Sequence, residues 1–155
     1  MVKVIMHGCN GKMGQVITGI IAEDKDAEIV AGVDTSNHIQ NTYPVFGNIA
    51  DCNVEADVVI DFCAAPAVDG LLKYCVEKQV PCVLCTTGLS EAQLAAVEEA
   101  SKKVAILRSA NMSLGVNMLL KILKEAAGIL APAGFDIEIV ELSLIHISEP
   151  TRLDV

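Results

Sequence analysis

Short apolar runs alternate with amphipathic stretches along most of the chain. Val2–His7 is an apolar run of strand length. Met13–Ala22 follows, with Met13, Val16, Ile17, Ile20 and Ile21 spaced three and four apart, which predicts a helix with one buried face. Glu28–Val33 predicts a second strand, and the polar, turn-rich Thr35–Tyr43 a loop. Val58–Phe62, Val80–Cys85 and Val104–Leu107 predict three more strands. Between them Pro66 opens a helix to about Lys78, in the first-turn position that proline favours. Ser90 and Gln93 form a capping box for a helix to about Lys102. Gly115–Leu130 predicts a long helix that stops near Pro132, and Ile137–Val140 the start of another strand.

Strands that alternate with helices predict an α/β fold, a Rossmann-like doubly wound parallel sheet with right-handed crossovers. Composition sharpens this picture. The chain is 52% hydrophobic but only 3% aromatic, with no Trp, so its core is aliphatic, as suits parallel strands buried on both faces. A net charge of −9 and an isoelectric point near 4.6 repel nucleic-acid phosphates, so no nucleic-acid partner is expected. No apolar run reaches the roughly 18 residues of a membrane helix, and the N-terminus enters a strand with no signal-peptide pattern. A cytoplasmic protein with no membrane partner is expected. Six cysteines fit a reducing compartment, and Cys63, Cys75, Cys82 and Cys85 sit in apolar segments, where cysteine packs as a small hydrophobe. Cys82 and Cys85 form a C-x-x-C pair, but residues three apart on a strand point to opposite faces, and no second pair exists. No metal is expected. His7 and His38 have no Cys/His cluster nearby and read as structural.

Ligands of doubly wound sheets bind beyond the carboxyl ends of the strands. After the first strand comes GCNGKMG, with glycines at Gly8, Gly11 and Gly14. Gly8 permits a tight turn, Gly11 lets a pyrophosphate approach the backbone, and Gly14 lets the helix pack on the sheet; the free amides and helix dipole attract the anion. A bare strand-to-helix turn would use the same glycines. Asp34 ends the second strand 20 residues past Gly14, about where an acidic side chain meets an adenosine ribose, although alone it could cap a turn. Together the two features predict a dinucleotide site. A carboxylate there favours NADH by repelling a 2′-phosphate, while Lys12 could reach that phosphate, so NADH and NADPH both stay open. Thr86, Thr87 and Gly88 follow the fourth long strand, and Ser109, Ala110, Asn111 and Met112 the fifth. Both groups can line a nicotinamide or substrate pocket, and both also read as polar turns before a helix.

Four motifs in this order resemble the 4-hydroxy-tetrahydrodipicolinate (dihydrodipicolinate) reductase family: GCNGKMG, VIDF at Val59–Phe62, TTG at Thr86–Gly88, and SANMSLGVN at Ser109–Asn117. The resemblance runs from Met1 to about Glu141. It implies reduction of a cyclic intermediate of the diaminopimelate route to lysine with NADH or NADPH, in a homotetramer acting on a small dicarboxylate. It places the cofactor loop on Gly8, Cys9, Asn10, Gly11, Lys12 and Met13, the ribose contact on Asp34, and the nicotinamide-side contacts on Cys85, Thr86, Thr87 and Ser109, Ala110, Asn111, Met112. Cys85 departs from the family's usual Gly, and Thr35 stands where some members carry a phosphate-binding Arg.

In the family, the Glu at the place of Glu141 leads into a His-rich segment with a Lys and a Pro-Ser-Gly-Thr run, which supplies the catalytic acid and the dicarboxylate grip. Here the chain reads LSLIHISEPTR from Leu142 to Arg152, a run similar to a translated sequencing adapter. The expected organisation is a dinucleotide-binding domain over 1–131, the first strand of an α+β substrate domain over 132–141, and a non-native tail over 142–155. On that reading the chain binds cofactor, has no catalytic residues of its own and does not turn over; His146 is not the catalytic His. A stand-alone NAD(P)-binding sensor module, or a related small-substrate dehydrogenase, are the alternatives.

Overall fold

The computed structural model describes residues 1–36 and 38–138. The chain divides into two compact units, Met1–Asn111 and the part from Met112 on. The first unit holds six parallel strands: β1 (Val2–His7), β2 (Ala27–Val33), β3 (Val45–Phe46), β4 (Val58–Asp61), β5 (Cys82–Leu84) and β6 (Ile106–Arg108). Their spatial order is β3-β2-β1-β4-β5-β6. The chain winds outward in one direction from β1 and then in the other from β4, so the crevice of a doubly wound sheet opens between the tips of β1 and β4.

Helix α1 (Lys12–Glu23) covers one face, and α2 (Val68–Lys78) and α3 (Glu91–Ser101) the other. Neighbouring residues of β1 show the two-sided burial. Ile5 joins a core with Val33, Val59, Leu71, Leu84 and Val97, whereas Met6 packs with Cys9, Tyr43 and Ile17 on the opposite face. The capping box expected at Ser90 is present: its hydroxyl accepts from the Gln93 amide at 3.3 Å, and the Gln93 side chain accepts from the Ser90 amide at 3.1 Å.

Two expected strands start later than their apolar residues do. The Val80 amide donates to Cys75 O at 3.0 Å, and the Val104 amide to Ala100 O at 3.0 Å, so both residues close the preceding helix instead of joining the ladder. Gln79 adopts a left-handed φ of 56° to make the first of these closures. The chain at Pro66 begins as a 3-10 turn over Ala65–Ala67 before α2 proper.

The expected buried face of α1 is corrected. Met13, Val16 and Ile20 are exposed, and the face toward the sheet is Gly14, Ile17, Thr18 and Ile21. Gly14 decides the rotation, because a Cβ there would lie 2.2 Å from Gly8 O and 2.7 Å from Cys9 O. Only the bare Cα edge of the helix can meet the bend before it.

The second unit is helix α4 (Leu114–Leu130), capped by the Ser113 hydroxyl, which accepts from the Val116 amide at 3.4 Å. A turn follows, in which Gly134 takes a φ of 88° and the Phe135 amide donates to Leu130 O at 3.2 Å. Ile137 and Glu138 are not in a strand. The rest of that expected strand, Glu141 and the tail 142–155 lie outside the described residues.

Candidate functional site

A cleft of about 470 Å³ opens at the carboxyl ends of β1, β2 and β4, lined by His7, Gly8, Gly11, Asp34 and Thr35 on one side and by Phe62, Cys63, Pro66 and Gly70 on the other. Gly8 makes the turn out of β1 with a φ of 84°, and a Cβ on it would meet Phe62 O at 2.7 Å. Its carbonyl accepts from the Gly11 amide at 3.1 Å, which closes the bend. Gly11 is the N-cap of α1, so no side chain caps that helix, and its first turn contains no acidic residue. The amides that open α1 and its dipole are therefore left to an anion.

Asp34 braces two loops. Its Oδ2 accepts from the Asn10 amide at 2.9 Å and its Oδ1 from the Ser36 amide at 2.9 Å. The Asn10 side chain adds a second tie: its Nδ2 donates to Ser36 O, and its Oδ1 accepts from Asn41 Nδ2 at 2.8 Å. Asn10 is thus buried between the glycine bend and the loop after β2. Cys9 is fully buried against Met6 and Tyr43, and Gly32 makes room for it: a Cβ on Gly32 would lie 2.7 Å from Cys9 Sγ. Cys9 offers the cleft its backbone, while its thiol belongs to the core; burial, with Asp34 nearby, pushes that thiol up to about 11. Lys12 and Met13 are exposed on the first turn of α1.

A buried polar network sits beneath the cleft. His7 Nδ1 and Asp61 Oδ1 are 2.7 Å apart, with Asp61 wholly buried and His7 nearly so. Thr86 Oγ1 donates to Asp61 Oδ2 at 2.5 Å and also lies 3.0 Å from Cys63 O, and the Cys63 amide points to Asp61 Oδ1 at 3.3 Å. The tips of β1, β4 and β5 are joined through one carboxylate. Cys85 lies beside it, buried, its amide donating to Asp61 O at 3.0 Å. Burial and then Asp61 push the Cys85 thiol up from its ordinary value. Thr87 is exposed, next to Gly88 with its φ of 72°. Ser109 extends the sheet, donating its amide to Leu84 O at 3.0 Å, and its hydroxyl donates to Asn111 O at 3.0 Å. Ala110 and Asn111 are exposed. Met112, also exposed, begins the second unit.

Gly8, Gly11 and Asp34 therefore line one cleft, and Thr86 reaches its floor through Asp61. Asp61, Cys63 and the cleft face of His7 were not among the sequence candidates. The signal was present: each stands at or just past the carboxyl end of a strand, where this fold keeps its chemistry.

A ring nitrogen of His7, an Asp61 carboxylate oxygen and Cys63 Sγ lie within 4.8 Å of one another, the one such group among the described residues. Two ligands of a tetrahedral zinc ion stand about 3.3 Å apart, given metal–ligand bonds of about 2 Å. The 2.7 Å His7–Asp61 contact is shorter, so the pair bonds to itself. Burial, and then Asp61, push the Cys63 thiol up to about 12.

Residues 2–112 match the family described as "Dihydrodipicolinate reductase, N-terminus". The chain belongs to the dihydrodipicolinate reductase family. It is 50% identical over 141 residues to the 4-hydroxy-tetrahydrodipicolinate reductase of Caldanaerobacter subterraneus subsp. tengcongensis, an alignment covering 91% of this chain and 55% of that protein. The chain spans about half the length of the curated reductases it matches. Among solved structures, a dipicolinate-bound dihydrodipicolinate reductase from Paenisporosarcina sp. TG-14 superposes with a TM-score of 0.75 at 24% identity, covering 83% of this chain and 54% of that one. The WlbA dehydrogenase from Bordetella pertussis, solved with NADH and UDP-GlcNAcA, shares the fold at a TM-score of 0.58 and 18% identity, covering 81% and 40%. No helix among the described residues of this reductase-family chain is long and apolar enough to cross a membrane.

Proposed function

We propose that the chain is the cofactor-binding part of a cytoplasmic, homotetrameric reductase. That enzyme converts 4-hydroxy-tetrahydrodipicolinate to tetrahydrodipicolinate with NADH or NADPH in lysine biosynthesis. Residues 1–131 form its cofactor domain and 132–141 lead into its substrate domain. One observation carries the reading: a glycine bend with an uncapped helix start and a carboxylate on the adjacent strand tip face one cleft at the crossover of the sheet.

The residues fit a dinucleotide. The bend is closed to any Cβ at Gly8 and Gly14, so it presents backbone, and the opening amides of α1 hold the diphosphate by hydrogen bonds and dipole. Asp34, held by two backbone donors, accepts from the hydroxyls of the adenosine ribose and repels a 2′-phosphate, which favours NADH. The tips of β4, β5 and β6, with Thr86, Thr87, Ser109, Ala110 and Asn111, form the nicotinamide side. When bound, the reduced nicotinamide supplies hydride to an electrophilic carbon. The proton donor and the grip on the dicarboxylate belong to the further domain of the longer relatives.

Titrating the 155-residue chain with NADH, read by nicotinamide fluorescence and by calorimetry, tests this. Saturable 1:1 binding, with weaker binding of NADPH, is expected. A chain that is folded by circular dichroism yet binds neither nucleotide at millimolar concentration refutes it.

A further inference from the structure

His7 is the last residue of β1, directly before the glycine bend, and it borders the cleft while almost wholly buried. Its ring is fixed from behind. Asp61 receives three donors: His7 through Nδ1, the Thr86 hydroxyl and the Cys63 amide. Against an ionised Asp61, which can only accept, the Nδ1 facing it is the nitrogen that carries the proton. A neutral imidazole with its proton on Nδ1 has a bare lone pair on Nε2. No described residue donates to that Nε2.

Position decides what the lone pair meets. Asp34 directly follows β2, on one side of β1, while Asp61 ends β4 and Thr86 follows β5, on the other. Adjacent strands lie about 4.8 Å apart. His7, tied toward β4, therefore belongs to the half of the cleft away from the adenosine. There a dinucleotide offers two kinds of donor, the hydroxyls of its second ribose and, beyond them, the carboxamide of the nicotinamide. His7 adjoins the glycine bend that faces the diphosphate, and the ribose is the group next to the diphosphate. We infer that His7 Nε2 accepts a hydrogen bond from a hydroxyl of the nicotinamide-side ribose, with Asp61 and Thr86 as the positioning residues that fix its tautomer. The inference rests on the cleft holding a dinucleotide, as proposed above.

Two substitutions separate this role from scaffolding. His7→Asn keeps an amide donor near the place of Nδ1 but has nothing at Nε2. His7→Gln reaches toward the place of Nε2 with a carbonyl oxygen but loses the donor to Asp61. Calorimetric titration of each with NADH, with ADP-ribose, which keeps the second ribose but not the nicotinamide, and with ADP, which lacks both, reads the contact. His7→Asn is expected to raise the Kd for NADH and for ADP-ribose about three- to tenfold, the share of one hydrogen bond, while leaving that for ADP within twofold. Weakening of NADH alone, with ADP-ribose unchanged, places the contact on the nicotinamide and overturns the inference. His7→Gln is expected to bind NADH more tightly than His7→Asn while melting at a lower temperature. Equal weakening of NADH and ADP, or affinity that simply follows melting temperature across the pair, makes His7 a scaffold residue and overturns the inference. If neither variant folds, ¹⁵N spectra of histidine-labelled wild type decide. A pyridine-type Nε2 resonance that moves on NADH addition but not on ADP addition supports the contact, and one that stays fixed with NADH refutes it. Wild type that binds neither nucleotide refutes the dinucleotide reading itself, and wild type that binds ADP but shows no His7 effect refutes only this contact.

Discussion

Gly14→Ala is the sharpest test of the glycine bend. The new methyl carbon would stand 2.2 Å from Gly8 O, 2.7 Å from Cys9 O and 2.8 Å from Cys9 C. All three are backbone atoms, so no side chain can swing aside. Restoring an ordinary carbon–oxygen contact requires α1 and the bend to part by roughly 1 Å. Gly8 O also accepts the Gly11 amide that closes the bend, so the push acts on the anion cradle itself. Overpacking of this kind costs about 1–3 kcal/mol. At roughly 3 °C per kcal/mol for a chain of this size, the melting temperature should fall by about 3–9 °C. A cradle displaced by that much should weaken NADH at least tenfold, about 1.4 kcal/mol. Gly19→Ala is the matched control: it lies in the same helix, and a Cβ there meets nothing within 4 Å. Replacing an open helical glycine should stabilise by about 0.5–1 kcal/mol and leave NADH affinity unchanged. Differential scanning fluorimetry and NADH titration read both variants. A Gly14→Ala chain that melts and binds like wild type would show that the bend is not the anion site.

Asp34→Ala should weaken NADH by about tenfold, since it removes a carboxylate acceptor, and should raise NADPH affinity relative to NADH; an unchanged NADPH/NADH ratio of Kd values contradicts the assigned ribose contact. Gly32→Ala should cost about 1–3 kcal/mol in urea unfolding, because its Cβ would press on Cys9 Sγ and Tyr43 Cε2 at 2.7 Å each. The thiols of Cys9 and Cys63 are raised from the usual 9 to about 11 and about 12. The unfolded chain therefore gives up these protons first, and stability should fall as pH rises from 9 toward 12, with little change from these groups below 9. Urea midpoints measured across that range that stay level would contradict the burial of both thiols.

The order of elements was legible because each strand and helix carried its own period. What escaped were places where one residue served two elements. Val80 and Val104 are apolar enough for strands, but their amides finish α2 and α3, and no hydrophobicity pattern records where an N–H points. Strand β3 has two residues, too few for any period, and exists because Gly32 and Asp34 donate their amides to Pro44 O and Phe46 O. The face of α1 was misjudged because its apolar residues form a plausible stripe, while the steric demand of Gly14 against Gly8 overrides it. Gly8, Gly11 and Asp34 were readable from spacing. The His7–Asp61–Thr86 bond set was not, since it joins residues 54 and 25 positions apart that only the sheet order brings together.

Asp34 and Asn10 also bear on the kinetics of association. The bend and the loop after β2 are latched to each other through Asp34, Asn10, Ser36 and Asn41 by the chain's own hydrogen bonds. A nucleotide that enters this half of the cleft meets walls that this bond set holds together without its help. Little ordering then accompanies binding, so a single fast phase with no slow isomerisation is the signature to look for in stopped-flow traces.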